Sequence, residues 1–180
     1  MGVDPGSQAT GYGVIDALGG DDLRWVAHGV LRPGKTVSLS LRLGSLATEL
    51  GGLIETYRPD VACVENVFVS ASARSALVLG QARGAALVAL GQAAVPLVEY
   101  APAKIKQSVS GSGRAPKAQV QRMVKRLLAL QRTPPTDAAD ALAAAICHAQ
   151  AGRLEALPRV KRRRPRTGAF AGRVRVRRAP

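Results

Sequence analysis

Three short strand-like stretches separated by turns come first, and helical spacing of apolar residues appears only afterwards; few folds accept that order. Residues 1–4 read as a short strand that the Pro5-Gly6-Ser7 turn ends. Residues 11–18 read as a second strand, followed by a Gly19-Gly20-Asp21-Asp22 turn. Residues 23–31 read as a third, with Leu23, Trp25 and Ala27 alternating against Arg24, Val26 and His28. Leu39, Leu43, Leu46, Leu50, Leu53, Ile54 and Tyr57 then form one stripe, which predicts a helix over 39–58. Pro59-Asp60 breaks it before a strand over 61–65. An Ala/Gly/Leu-rich and therefore largely buried helix is predicted over 71–93, a fifth strand over 96–100, and two more helices over 117–130 and 137–151. The order is β-β-β-α-β-α-β-α-α. Hairpin-linked strands run antiparallel, and a strand that returns through a helix lies parallel to its neighbour. An α/β fold follows: a mixed five-stranded sheet with helices on both faces.

Charge narrows the partners. The 180 residues hold 26 Lys and Arg against 12 Asp and Glu, a formal charge of +14, so polyanions are the natural ligands. Ten of the bases, and no acid, lie between Arg159 and Pro180, leaving 16 bases against the 12 acids elsewhere. A folded domain over 1–155 and a basic, disordered tail over 156–180 are expected. With no apolar run of membrane-spanning length and no leader-like segment ahead of Met1, a soluble cytoplasmic protein with no membrane partner is expected. Cys63 and Cys147 sit in apolar surroundings and read as reduced core residues.

In a chain so short of acid, four carboxylates fall where a metal site would need them. Asp4 closes the apolar run Met1-Gly2-Val3, and Glu65 closes Val61-Ala62-Cys63-Val64. Asp137 and Asp140 open an Ala-rich helix just after Thr133-Pro134-Pro135-Thr136. Asp4 and Glu65 thus stand at the carboxyl ends of strands that can be neighbours, where open α/β sheets gather ligands. Asp137 and Asp140, three apart, share one face of a helical first turn whose free amides favour anions. Taken singly, each acid has an ordinary reading as turn former, helix cap or solvated strand end. Four on one sheet edge repel and raise one another's pKa unless cations neutralise them. Hard ions that prefer oxygen ligands, Mg²⁺ or Mn²⁺, suit such a cluster. Two of them about 3.5–4 Å apart would activate water and stabilise the leaving oxygen in phosphodiester cleavage. The combination points to a metal-dependent enzyme acting on nucleic acid.

Several segments carry a family likeness. Asp4-Pro5-Gly6-Ser7 followed by Thr10-Gly11-Tyr12-Gly13-Val14-Ile15, then Glu65-Asn66-Val67-Phe68, then Ser75-Ala76-Leu77-Val78-Leu79-Gly80-Gln81-Ala82-Arg83-Gly84, and finally Asp137-Ala138-Ala139-Asp140-Ala141-Leu142-Ala143 resemble the RuvC crossover-junction endonucleases, in order and at fitting spacing over about residues 1–150. The resemblance implies a ribonuclease-H-like fold and a homodimer that resolves four-way Holliday junctions during DNA recombination and repair. It implies paired, symmetric nicks near the crossover, with Mg²⁺ or Mn²⁺ and two ions per subunit. The family's metal-site carboxylates fall on Asp4, Glu65, Asp137 and Asp140. Its aromatic that engages unstacked bases falls on Phe68, and two basic positions important for the reaction fall on Lys106 and Lys117. A branch-migration complex of the RuvA and RuvB type and a nucleoid-associated setting in the cytoplasm are implied as well. The chain departs from the pattern in places. Asn66 stands where glutamine is often found, and Val69 to Arg74 is less polar than the family would suggest. Only three residues precede Asp4, so an earlier native start or a short first strand is expected.

The chemistry of these residues agrees with that likeness. An ammonium such as Lys117 offsets charge building on a phosphate. Phe68 is one of two phenylalanines, and stacking of its ring on an exposed base would be worth roughly 1–3 kcal/mol. Arg74, Lys104, Arg114 and Arg122 are expected to contact phosphates. Two-fold symmetry suits a substrate with two equivalent cut sites. Gly111-Ser112-Gly113-Arg114-Ala115-Pro116-Lys117 lacks the spacing of a phosphate loop and reads as a mobile connection. His148 lies eight residues past Asp140, about 12 Å along a helix and too far to share its metal. Glu99, which also ends a strand, is the best rival for a fifth carboxylate and is read as a supporting residue. An actin-like ATPase would need far more than 180 residues. The alternatives left are a related nuclease acting on another branched or RNA substrate, and a non-catalytic nucleic-acid binder driven by the tail.

Overall fold

The period switch read along the chain becomes strands and then helices in a computed structural model, which describes residues 1–6, 8–19, 22–34, 37–66 and 73–151. The elements are β1 (Gly2–Asp4), β2 (Thr10–Gly19), β3 (Asp22–Leu31), α1 (Leu39–Tyr57), β4 (Ala62–Glu65), α2 (Ala73–Gln92), β5 (Leu97–Tyr100), α3 (Pro102–Ser110), α4 (Lys117–Leu127) and α5 (Thr136–Ala151). The strands make one sheet in the order β3-β2-β1-β4-β5. β1, β2 and β3 pair antiparallel, whereas β1–β4 and β4–β5 are parallel. That is the mixed sheet expected from two hairpins followed by helical crossovers.

Each face of the sheet buries its own core. Met1, Val3, Val14, Ala62 and Val64 pack with Leu50 and Ile54 of α1 and with Ala86, Ala89 and Leu90 of α2. On the other face Cys63 and Tyr100 pack with Ile105 and Val109 of α3, Val120 and Val124 of α4, and Leu142 and Ile146 of α5. The two cysteines are free and buried, and burial pushes the Cys63 thiol up to about 12, so it stays protonated. No helix among the described residues is long and apolar enough to cross a membrane.

Three expectations need correction. First, the element order gains a helix, α3, between the fifth strand and the helix that begins at Lys117. Its apolar stripe is only Ile105 and Val109, too short to stand out, yet Pro102 opens it and Gly111, at φ 77°, closes it. Proline at the first turn and glycine just past the end are the marks that define so short a helix. Second, Leu23, Trp25 and Ala27 do not share a face. Val14 lies opposite Ala27 but Ile15 lies opposite Trp25, so a bulge at Val26 shifts the register and turns Trp25 to the other side of the sheet. There, on the edge strand, it is 44% exposed. Third, α2 is not largely buried: Ala82, Ala86, Ala89 and Leu90 are covered, but Leu77 and Val88 stand 64% and 56% exposed. Phe68 and the tail over 156–180 lie outside the described residues.

Candidate active site

Two glycines decide how near α5 can come to the sheet. A Cβ on Gly2 would lie 1.8 Å from the carbonyl oxygen of Ala141, and one on Gly11 would lie 1.9 Å from that of Asp137. With hydrogen in place of a side chain at both positions, α5 rests directly on β1 and β2. Its first turn therefore ends up over the carboxyl end of β1. Asp4 is the last residue of β1 and pairs with Gly11, the same residue that touches Asp137. The neighbouring strand, β4, runs parallel to β1 and ends at Glu65. All four expected carboxylates consequently belong to one sheet edge.

Their electrostatics register the proximity. Burial, then Asp140 and Glu65, with Asp137 adding, raise Asp4 from 3.8 to about 7, against an opposing pull from Lys117. Burial also raises Glu65, with Asp140 adding, while Lys117 and Lys106 act the other way. Lys117, at the start of α4, donates from Nζ to Asp140 Oδ2 at 2.9 Å. That bond, ahead of the charges of Asp140, Asp4 and Glu65, raises the Lys117 pKa. The side chain of Asp140 is only 19% exposed, against 67% for Lys117, so the lysine leans in from solvent over the acids.

The quartet shares a neighbourhood without closing into a chelate. Among the described residues, no three His, Cys, Asp or Glu side chains converge tightly enough to hold a metal ion as they stand. The Lys117 ammonium supplies Asp140 with a counter-charge. The donor set still fits a hard divalent cation. It is made of carboxylate oxygens alone, and Asp4 is held in a field that a cation would relieve.

The other sequence candidates divide. Lys106, half-buried on α3, is among the charges acting on Glu65. Lys104, two residues earlier, is exposed with its Nζ 5.0 Å from the centre of the Tyr100 ring, a cation–π contact. Arg74 on α2, Arg114 in the loop before α4 and Arg122 on α4 are not buried, and none is among the charges acting on Asp4 or Glu65. His148 is engaged through Nδ1 with the Tyr100 hydroxyl at 2.8 Å. Glu99 is taken by Arg83, which supports its reading as a supporting residue. Sequence reasoning missed the part played by Arg83 and by the two glycines under α5. Arg83 is one of two basic residues in α2, the visible signal that it has a specific partner.

Comparison with known proteins follows the same line. A family model described as "Crossover junction endodeoxyribonuclease RuvC" matches residues 1–148. The chain is similar to the crossover junction endodeoxyribonuclease RuvC of Halorhodospira halophila, 52% identical over 149 residues that cover 83% of this chain and 88% of that one. It is also similar to the RuvC of Polynucleobacter asymbioticus, 49% identical over 150 residues, 83% of this chain and 87% of that one. Among solved structures, Thermus thermophilus RuvC in complex with a Holliday junction substrate matches with a TM-score of 0.80 at 34% identity, over 85% of this chain and 93% of that one. The yeast mitochondrial Holliday junction resolvase Ydc2 matches at 13% identity with a TM-score of 0.54 over 85% of this chain and 82% of that one, a likeness of fold alone.

Proposed function

The chain belongs to the RuvC family of crossover junction endodeoxyribonucleases, and from that premise we propose that it resolves four-way Holliday junctions by paired, symmetric nicks near the crossover. The observation that carries the reading is Asp4, a partly buried carboxyl at the end of β1 beside the end of β4 and the start of α5, lifted to about 7 with Asp140, Glu65 and Asp137 all acting on it. A fold does not gather four acids at one sheet edge for stability, because burial and mutual repulsion both cost free energy there.

In this reading Asp4, Glu65, Asp137 and Asp140 hold Mg²⁺ or Mn²⁺, two ions per subunit. Such ions, when bound, activate water for attack on phosphorus and stabilise the leaving oxygen. Lys117 then has two tasks. While paired with Asp140 it offsets the charge of the acids, and beside a scissile phosphate it offsets the charge that builds there. Lys106 adds positive potential on the Glu65 side. Phe68 follows Glu65 by three positions and is assigned to stack on an unpaired base, while Arg74, Lys104, Arg114 and Arg122 are assigned to the phosphates of the arms.

The working unit is a homodimer. Leu77 and Val88 lie eleven residues apart, three helical turns, and so present one exposed apolar face of α2 suited to a two-fold partner. The nuclease domain spans 1–155, and 156–180 is a basic arm that draws DNA in. A branch-migration complex of the RuvA and RuvB type and a cytoplasmic, nucleoid-associated setting complete the reading.

The test compares a labelled four-way junction with linear duplex in Mg²⁺, Mn²⁺ or EDTA. Metal-dependent nicks near the crossover are expected, lost in Asp4→Asn and Glu65→Gln variants that still bind the junction. Equal cutting of linear duplex would refute junction selectivity. Unchanged cleavage in both variants would remove the carboxylates from the reaction.

A further inference from the structure

We propose that Arg83 is a positioning residue, its guanidinium fork fixing the main chain at Glu65 so that the glutamate is presented to the metal site. The inference rests on the reading of Glu65 as a metal ligand. Arg83 sits on α2 and reaches across to the ends of β4 and β5. Its Nη1 donates to the backbone carbonyl of Glu65 at 2.8 Å, and its Nη2 pairs with the Glu99 carboxylate. The Arg83 side chain is only 13% exposed and Glu99 40%, so both bonds are charge-assisted and the one to the Glu65 carbonyl is the more sheltered of the two. Beyond Glu65 the strand is caught once more, where Asn66 N donates to Tyr100 O at 2.8 Å. Glu65 is the last residue of β4, so these two bonds set where the strand ends and how the glutamate leaves it.

What Arg83 does not do is equally informative. Its two bonds go to the Glu65 main-chain carbonyl and to the Glu99 carboxylate, not to the Glu65 carboxylate. A guanidinium placed on the carboxylate itself would compete with a cation for its oxygens. Held on the carbonyl by Glu99, it orders the glutamate without neutralising it. Lysine cannot reproduce this, since a single ammonium lacks the fork that spans two acceptors. Partners that orient a ligand from behind typically set metal affinity by about 10–100-fold.

The test uses the full-length protein and Mn²⁺ alone, titrated calorimetrically without DNA, with junction binding in EDTA and urea midpoints measured alongside. Arg83→Met should weaken Mn²⁺ binding by about 10–100-fold while junction affinity in EDTA stays unchanged, with Arg83→Lys and Glu99→Gln falling between it and the parent. Parental Mn²⁺ affinity in Arg83→Met would overturn the proposal. If that variant does not fold, parental affinity in both Arg83→Lys and Glu99→Gln overturns it instead. Glu65→Gln separates the two levels. Were it to bind Mn²⁺ like the parent, the reading of Glu65 as a ligand would fail, whatever Arg83 does.

Discussion

Asp4 shows most directly how function opposes stability in this protein. Its carboxyl is raised from 3.8 to about 7 in the fold, so the native state holds a proton that the unfolded chain has already released over that window. Stability of the metal-free protein should therefore fall as pH rises from about 4 to about 7, by an amount on the order of a few kcal/mol. Asn carries no charge to bury. Asp4→Asn in EDTA should reduce that slope, leaving the smaller part due to Glu65, and melt above the parent at pH 8, even though the variant no longer cuts. Thermal unfolding from pH 4 to pH 8 checks both points. Identical pH profiles for the two proteins would show that Asp4 is solvated and ordinary. Adding Mn²⁺ should raise the melting temperature of the parent at pH 8 and leave that of the variant nearly unchanged.

At the scale of elements, the site depends on how closely α5 lies on the sheet, and Gly11 controls that distance. A methyl group there would meet the Asp137 carbonyl at 1.9 Å, so backbone must move. Gly11→Ala should cost about 1–3 kcal/mol in urea unfolding and also weaken Mn²⁺ binding, because α5 carries two of the four acids away from Asp4. A loss of stability with unchanged metal binding would show that α5 adapts without disturbing the site.

The same scale shows what could be read from sequence and what could not. Strand direction was legible, because hairpins run antiparallel and helical crossovers parallel, whereas the order β3-β2-β1-β4-β5 was not fixed by it. The placement of the acids at one end of the sheet was legible in part, since Asp4 and Glu65 end strands and Asp137 lies in the first turn of α5, but no local pattern says whether they close on an ion. α3 was hidden because two apolar residues give no periodicity, and only Pro102 and Gly111 mark it. The turn of Trp25 to the opposite face was hidden because a bulge adds one residue without changing composition. Composition also misjudged α2, where small apolar residues filled an exposed face as readily as a buried one. Arg83 could be seen as an isolated base, but its grip on the Glu65 carbonyl is a long-range bond that no local pattern records.

For the whole molecule, charge is divided between two tasks. The residues ahead of Arg159 hold 16 bases and all 12 acids, while the ten bases from Arg159 onward stand with no acid among them. Deleting 159–180 should lower junction affinity and flatten its dependence on salt, by about 0.9 in the log–log slope for each phosphate that the tail had neutralised. Cleavage of bound junction should proceed at the parental rate. An unchanged slope would assign the tail some task other than holding DNA. The exposed Leu77–Val88 face of α2 is the other large-scale feature, the surface proposed above for a two-fold partner.

All of this depends on Asp4, Glu65, Asp137 and Asp140 acting together on a divalent ion. The most direct measurement is an anomalous difference map from crystals of the full-length protein grown with Mn²⁺. The account predicts a strong peak at the β1–β4 edge, within bonding distance of Asp4 and at least two of the other three carboxylates. A Mn²⁺ peak elsewhere on the protein, with this edge empty in crystals whose dissolved protein still cuts junctions, would contradict it.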